Sequence, residues 1–189
     1  NLAIALDDSN HTVEAAQVLL KAMELFEEGT KDWAEAAAGA FDLLKHPDCR
    51  DAPKPEWWND EALKALSARV AAVAPGHSSR SCRMRARVLS GDTLESIAGP
   101  RTAAQVKEAA TWYRRAARVA GVSADKQLYD ELASDCDKFA DPLLAKEEAE
   151  AAKARAAAGA EAEKVRAVAE AKAAEALKVA EAKATAAAE

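Results

Sequence analysis

Apolar and polar residues recur at steps of three and four along the first 140 or so residues, which is the spacing of amphipathic helices. Between Thr12 and Glu28 the polar positions form a narrow stripe, so this segment should be buried on two sides. Turn-forming and cap-forming residues separate the periodic segments into six helices. The predicted helices span residues 12–28, 31–45, 77–89, 102–120 and 123–140, with a third in chain order that follows Trp57-Trp58 and runs to about residue 74. We expect Asn59 or Asp60 to cap the start of this third helix.

The fifth predicted helix has the clearest pattern, between Lys107 and Ala120. On one face, small residues surround an aromatic ring, which lets a neighbouring helix approach closely. That face consists of Ala109, Tyr113, Ala116 and Ala120, with Trp112 beside it. The opposite face carries Lys107, Thr111, Arg114 and Arg118.

Short turns join several of these helices, and a turn of two or three residues makes the flanking helices antiparallel. In the second helix we expect the inward residues to be Trp33, Ala37, Ala40, Phe41 and Leu44. In the sixth helix we expect them to be Leu128, Tyr129, Leu132, Cys136 and Phe139. The body is therefore predicted to be a set of packed helix hairpins.

The composition changes at Asp141-Pro142, after which the aromatic residues and most large aliphatic residues end. Residues 143–189 contain 22 alanines in 47 residues, interleaved with Glu, Lys and Arg, a composition typical of a solvated helix. An eleven-residue repeat runs through them as KEEAEA, AAGAEA, VAEAKA and VAEAKA. Eleven residues make three turns at about 3.67 residues per turn, so the repeated face stays nearly straight along the helix. The sequence therefore predicts an all-α protein, with a helix-hairpin body over 1–142 and a long alanine-rich single helix over 143–189.

The charge and the cysteines narrow the class of protein. The net charge of -6 disfavours nucleic acid as a general partner. Three scattered cysteines predict reduced thiols in an intracellular compartment, either cytoplasm or organelle interior. The sequence contains no uninterrupted apolar run of about 18 residues, so we expect no membrane-spanning helix. Since the sequence starts at Asn1 and not at Met, removal of a targeting peptide stays open. Peripheral association with a membrane complex also stays open.

Three stretches resemble tetratricopeptide or Sel1-like helical repeats: EEGTKDWAEAA near Gly29, DEALKALSARVAAVAP from Asp60, and KEAATWYRRAARVA from Lys107. Trp112-Tyr113 followed by two alanines is particularly similar to the Sel1-like form. The stretch from Trp57 onward is also similar to uncharacterised helical-repeat proteins of unicellular algae. The resemblance implies stacked helix hairpins and a role in protein contacts, with no activity to carry over.

Two surface features are candidates for binding. One is a pair of basic stripes on the fourth and fifth predicted helices, which would suit an acidic peptide or an RNA backbone. Alternatively, these cations pair with the acidic residues of the body itself. The stripes consist of Arg80, Arg83 and Arg87, and of Lys107, Arg114 and Arg118. The other feature is the pair Trp57-Trp58. Either one of the two is exposed as an interface anchor, or one lies in the core and the other lies over the adjacent loop.

The sequence offers little catalytic chemistry. His46 and Cys49 supply at most two ligands where a zinc site needs about four, so no metal or cofactor is expected. A thiol enzyme centred on Cys82 is a weak alternative, because the arginines around that residue should lower its pKa. We therefore expect a non-enzymatic scaffold or linker subunit that contacts other subunits of a larger complex. The alternative is an RNA-binding or regulatory adaptor that uses the arginine stripes on helices 77–89 and 102–120.

Overall fold

A computed structural model describes residues 2–73, 78–93 and 99–186 of the chain. The protein is all helical: 81% of it is helix, and the described residues contain no strand. The helices are α1 (Leu2–Asp8), α2 (Thr12–Leu25), α3 (Lys31–Leu44), α4 (Asp60–Val73), α5 (Ser79–Ser90), α6 (Ala103–Val119) and α7 (Ser123–Ala186), with a short 3-10 turn at Pro47–Cys49. The predicted all-α fold with a long C-terminal helix is confirmed.

Polar side chains at the helix starts explain where the helices begin. The Thr102 side chain and Gln105 form a reciprocal capping box at the start of α6. Asn59 Oδ1 accepts a hydrogen bond from the Ala62 backbone N–H at 3.0 Å, so Asn59 and not Asp60 caps α4. Gly91, with φ of +80°, ends α5 in the left-handed conformation that glycine adopts at low cost. The predicted last residue of the third helix, 74, and the predicted first residue of the fourth, 77, lie outside the described residues.

Two apolar clusters form the core. The first surrounds Phe41 and Trp58 and is built from α2, α3, α4 and α5, while the second surrounds Tyr113 and is built from α5, α6 and the first turns of α7. α5 belongs to both, because Met84 faces the first cluster and Cys82 faces the second. The second predicted helix is α3, and the inward residues predicted for it are all buried.

The start of α7 differs from its predicted orientation. Tyr129 and Cys136 are buried, but Leu128 and Phe139 are 48% and 57% exposed. The buried face instead continues through Ala133 and lies against the alanine-rich face of α6. Two helices that meet through small residues pack closely, so Ala133 fits there and a larger leucine or phenylalanine does not.

α7 also continues through Pro142, where the change in composition predicted a break between two helices. A proline inside a helix removes one backbone hydrogen bond and crowds the preceding turn. The alanine, leucine, lysine and glutamate around it are strong helix formers, which offset part of that cost. The chain divides into two compact units, of which the first ends at Leu144 and the second begins at Ala145. We call the first unit the body and residues 145–186 the tail.

Candidate protein-binding site

Asp42 on α3 holds the arginines of α5. Arg83 forms an ion pair with it, Arg87 Nη1 lies 3.4 Å from Asp42 Oδ1, and Arg80 Nε lies 3.9 Å from Oδ2. Arg83 also donates a hydrogen bond to the Tyr129 hydroxyl at 3.2 Å. Burial alone would lower the pKa of Arg83, but Asp42 and Tyr129 outweigh it, so the pKa is raised. The first predicted basic stripe is therefore paired with Asp42 inside the body.

The basic residues of α6 pair with the start of α7 instead. Arg114 forms an ion pair with Asp137, and Lys107 Nζ lies 3.7 Å from Asp141 Oδ1. These partly exposed pairs contribute at most about 1 kcal/mol each. Arg118 is exposed, and no ion pair to it occurs in the described part of the chain. The two stripes thus have separate acidic partners in the body, and binding of an outside ligand by them stays a prediction.

The two adjacent tryptophans have different environments. Trp58 is 7% exposed, and its ring centroid lies 5.8 Å from that of Phe41. Trp57 is half-buried beside it, with ring centroids 5.7 Å apart. The pair therefore consists of one core tryptophan and one that covers it, and neither is a fully exposed anchor.

The cysteines are buried in the core. The arginines near Cys82 in sequence were expected to lower its pKa, and that expectation is wrong: burial raises it, and Arg115 opposes the rise only in part. Burial, together with Asp137 and Asp135, raises the pKa of Cys136 to about 11. A buried, protonated thiol is a poor nucleophile, so the structure offers no activated cysteine at position 82.

A cleft of about 680 Å³ opens on another part of the body, between α1, α2, α3 and the start of α5. We call it the acidic cleft. Its apolar lining consists of Ala3, Val18, Leu19, Ala22, Phe26, Ala36, Gly39 and Leu43. Its charged lining consists of Asp7, Asp8, Asp32, Glu35, Asp42, Arg80 and Arg83. Five carboxylates against two guanidinium groups leave an excess of three negative charges.

The acidic side chains of the cleft fall into two groups. Asp42 is paired with arginines at one end. The other four form no ion pair within the described residues; two are at the end of α1 and two in the first turns of α3. No local motif brings these residues together, because more than twenty positions separate Asp8 from Asp32. The net charge of -6 was the only sequence signal for this site.

A further apolar surface lies on the outer side of α7. Leu128 and Phe139 are exposed there in the body, with half-buried Leu132 on the same helical face. Large apolar side chains that share one exposed face, as Leu128 and Phe139 do, are a common mark of a protein contact. In the tail, described by itself, Val165 and Val168 are 63% and 55% exposed.

Comparisons of this chain with protein-family models, with curated proteins and with solved structures give no match. Among the described residues, no group of three His, Cys, Asp or Glu side chains is placed to hold a metal ion. None of the described helices combines the length and the apolar character that crossing a membrane requires.

Proposed function

We propose that this protein is a non-enzymatic scaffold or linker subunit that holds other proteins in a larger assembly. The observation that supports it most is the apolar face that Leu128 and Phe139 expose on α7 within the body. In the tail, described by itself, Val165 and Val168 are also exposed. A lone protein gains nothing from these side chains, because each leaves apolar area in water. The resemblance of the body to tetratricopeptide and Sel1-like repeats agrees with a role in protein contacts.

The tail supplies a second contact of a different kind. Residues 148–175 are exposed throughout, and most of them are Ala, Glu, Lys or Arg. Alanine contributes little area to a contact, so such a helix packs well only against a surface that approaches closely. A subunit with both features can dock through its body and reach along another partner through its tail.

The test compares two pairs of exposed apolar residues, each replaced by serine. The full chain is tagged and expressed in its native cells, and the mass of its complex is measured by size exclusion with light scattering. Leu128→Ser with Phe139→Ser should shift the protein from the complex toward its own mass of 20.0 kDa. The control variant is Leu25→Ser with Val122→Ser, two apolar residues that are 76% and 59% exposed and lie before α7.

Two outcomes would remove the proposal. One is a wild-type protein that elutes at its own mass, and the other is a complex that both double variants leave unchanged. Circular dichroism of each variant shows whether it is folded, since replacement of exposed residues should leave the helical signal intact. Deletion of residues 145–189 then separates the two contacts, and we expect it to lose some partners and keep others.

A further inference from the structure

We propose that the acidic cleft binds a short basic amphipathic helix of a partner protein. This proposal concerns α1, α2 and α3, and it does not depend on the surface of α7 that supports the proposed function. It rests on the length of the apolar floor, on the placement of the unpaired carboxylates and on the openness of the cleft between helices.

The apolar floor has the dimensions of a helix groove. On α2 and its C-cap, the apolar lining residues run from Val18 to Phe26, about 12 Å at 1.5 Å per residue. On α3 they run from Ala36 to Leu43, about 10 Å. Phe26 is 43% exposed at one end of this floor. About two turns of a helix would cover that length and place apolar side chains on the floor.

The carboxylates of the cleft favour a positively charged ligand. Asp7 and Asp8 lie at the end of α1, and Asp32 and Glu35 lie at the start of α3, so negative charge borders the floor from two helices. Asp42 is already paired with Arg80 and Arg83, and it adds no free negative charge. Lysine or arginine beside the apolar stripe of a ligand helix would complement the four unpaired groups. An acidic peptide or a nucleic acid would be repelled.

The shape favours a peptide over a small molecule. Small-molecule sites usually enclose most of their ligand. This cleft is only partly enclosed, and its Asp7, Asp8 and Asp32 are exposed. Exposed rim charges contribute mostly to association and to the choice of partner. A partly exposed apolar floor within an acidic rim is the arrangement that a basic amphipathic helix fits.

The probe is a fluorescein-labelled helical peptide of 14 residues, with leucine along one face and lysine and alanine on the other. Fluorescence polarisation is measured against the full-length protein. One reference peptide has the same composition in scrambled order, and a second carries glutamate in place of lysine. We expect saturable binding of the amphipathic basic peptide, at least about tenfold tighter than either reference.

The protein variants test the position of the site. Asp8→Lys with Glu35→Lys reverses charge on both sides of the cleft and should weaken binding about tenfold or more. The matched control is Glu24→Lys with Glu27→Lys, which changes the net charge equally at exposed residues outside the cleft. A second matched pair tests the floor, because Phe26 lines the cleft and its neighbour Leu25 does not. Phe26→Ala should weaken binding, and Leu25→Ala should leave it unchanged.

Three results would overturn the proposal. They are absence of saturable binding, equal binding of the scrambled peptide, and equal loss in the cleft variant and its charge-matched control. Circular dichroism of every variant verifies that the helices are intact. Because the complex of Leu128→Ser with Phe139→Ser is measured separately, failure here leaves the proposed function standing, and the reverse also holds.

Discussion

The body has a core of large buried side chains, among which Phe41, Leu66 and Tyr113 are at most 1% exposed. In the tail, residues 148–175 are exposed without exception. Both regions are helical, but burial of apolar area stabilises the first, at about 25 cal/mol per Å². The second depends on the helix propensity of alanine and on neighbouring ion pairs, such as Arg166 with Glu170 at 2.7 Å.

This difference decides how each region responds to change. A packed core unfolds as a cooperative unit, so a single defect lowers the stability of the whole body. A solvated helix opens locally, so a defect there should affect only the turns around it. The same substitution should therefore have different consequences in the two regions.

The largest expected effect is that of Phe41→Ala. Phe41 is completely buried and contacts Trp58, so its loss leaves a cavity that should cost about 3–5 kcal/mol of unfolding free energy. The measurement is urea unfolding followed by tryptophan fluorescence, since Trp33 and Trp58 are both in the core. Val165→Ala, in the tail, should change the result by less than about 0.5 kcal/mol. Similar losses in both variants would show that the two regions unfold as one.

A smaller loss of unfolding free energy is expected when an ion pair is removed, and it should depend on how deeply the pair is buried. The Arg101 side chain is 5% exposed, lies 2.6 Å from Asp60 Oδ1, and donates hydrogen bonds to the backbone carbonyls of Val88 and Gly99. Arg101→Met keeps much of the aliphatic stem but removes these bonds, and it should cost about 3 kcal/mol. The same substitution at Arg166, whose pair with Glu170 is exposed, should cost less than about 0.5 kcal/mol.

The Asp60 pair also predicts a pH dependence. Burial raises the pKa of Asp60, but hydrogen bonds from Lys64 and Arg101 outweigh it, so the folded pKa is lowered. Its stabilising contribution is then complete above the unfolded pKa of about 3.9 and is lost as the pH falls through the folded value. Urea unfolding from pH 6 downward should show a smaller acid-induced loss for Arg101→Met than for wild type. An identical slope in the two proteins would contradict the assignment.

Burial was predictable from sequence for residues whose helical spacing marks a single apolar face. The buried face of α3, and Tyr113 with its flanking alanines on α6, followed from helical spacing and are found in the core. Leu128 and Phe139 were placed wrongly, because hydrophobicity alone does not say which of two apolar faces meets a closely packed neighbour.

Long-range pairing was not predictable. The role of Arg101 depends on Asp60, 41 positions earlier, and on carbonyls of a helix end. The acidic cleft likewise combines α1 with α3, and the partner of Arg83 and Arg87 on α3 could be foreseen only as one acidic residue of the body among many. Helical periodicity fixes which side of a helix a residue occupies, but the neighbouring helix decides what it meets.

The smallest effect concerns glycine inside a helix, where replacement by alanine should stabilise the tail and leave the body unchanged. Alanine in place of a helical glycine gains up to about 1 kcal/mol from propensity alone. At Gly159 an added Cβ would have no heavy atom within 4 Å, so the tail should keep that gain. At Gly39 the added Cβ would lie 2.9 Å from Leu19 Cδ1 and 3.4 Å from Arg80 Nη1, so Leu19 must move and the gain should be cancelled. Amide hydrogen exchange by mass spectrometry measures both, as slower exchange around residue 159 in Gly159→Ala and no slowing around residue 39 in Gly39→Ala. Equal slowing at both sites would mean that α2 and α3 pack loosely enough to accept a methyl group, and that packing separates the body from the tail less sharply than burial indicates.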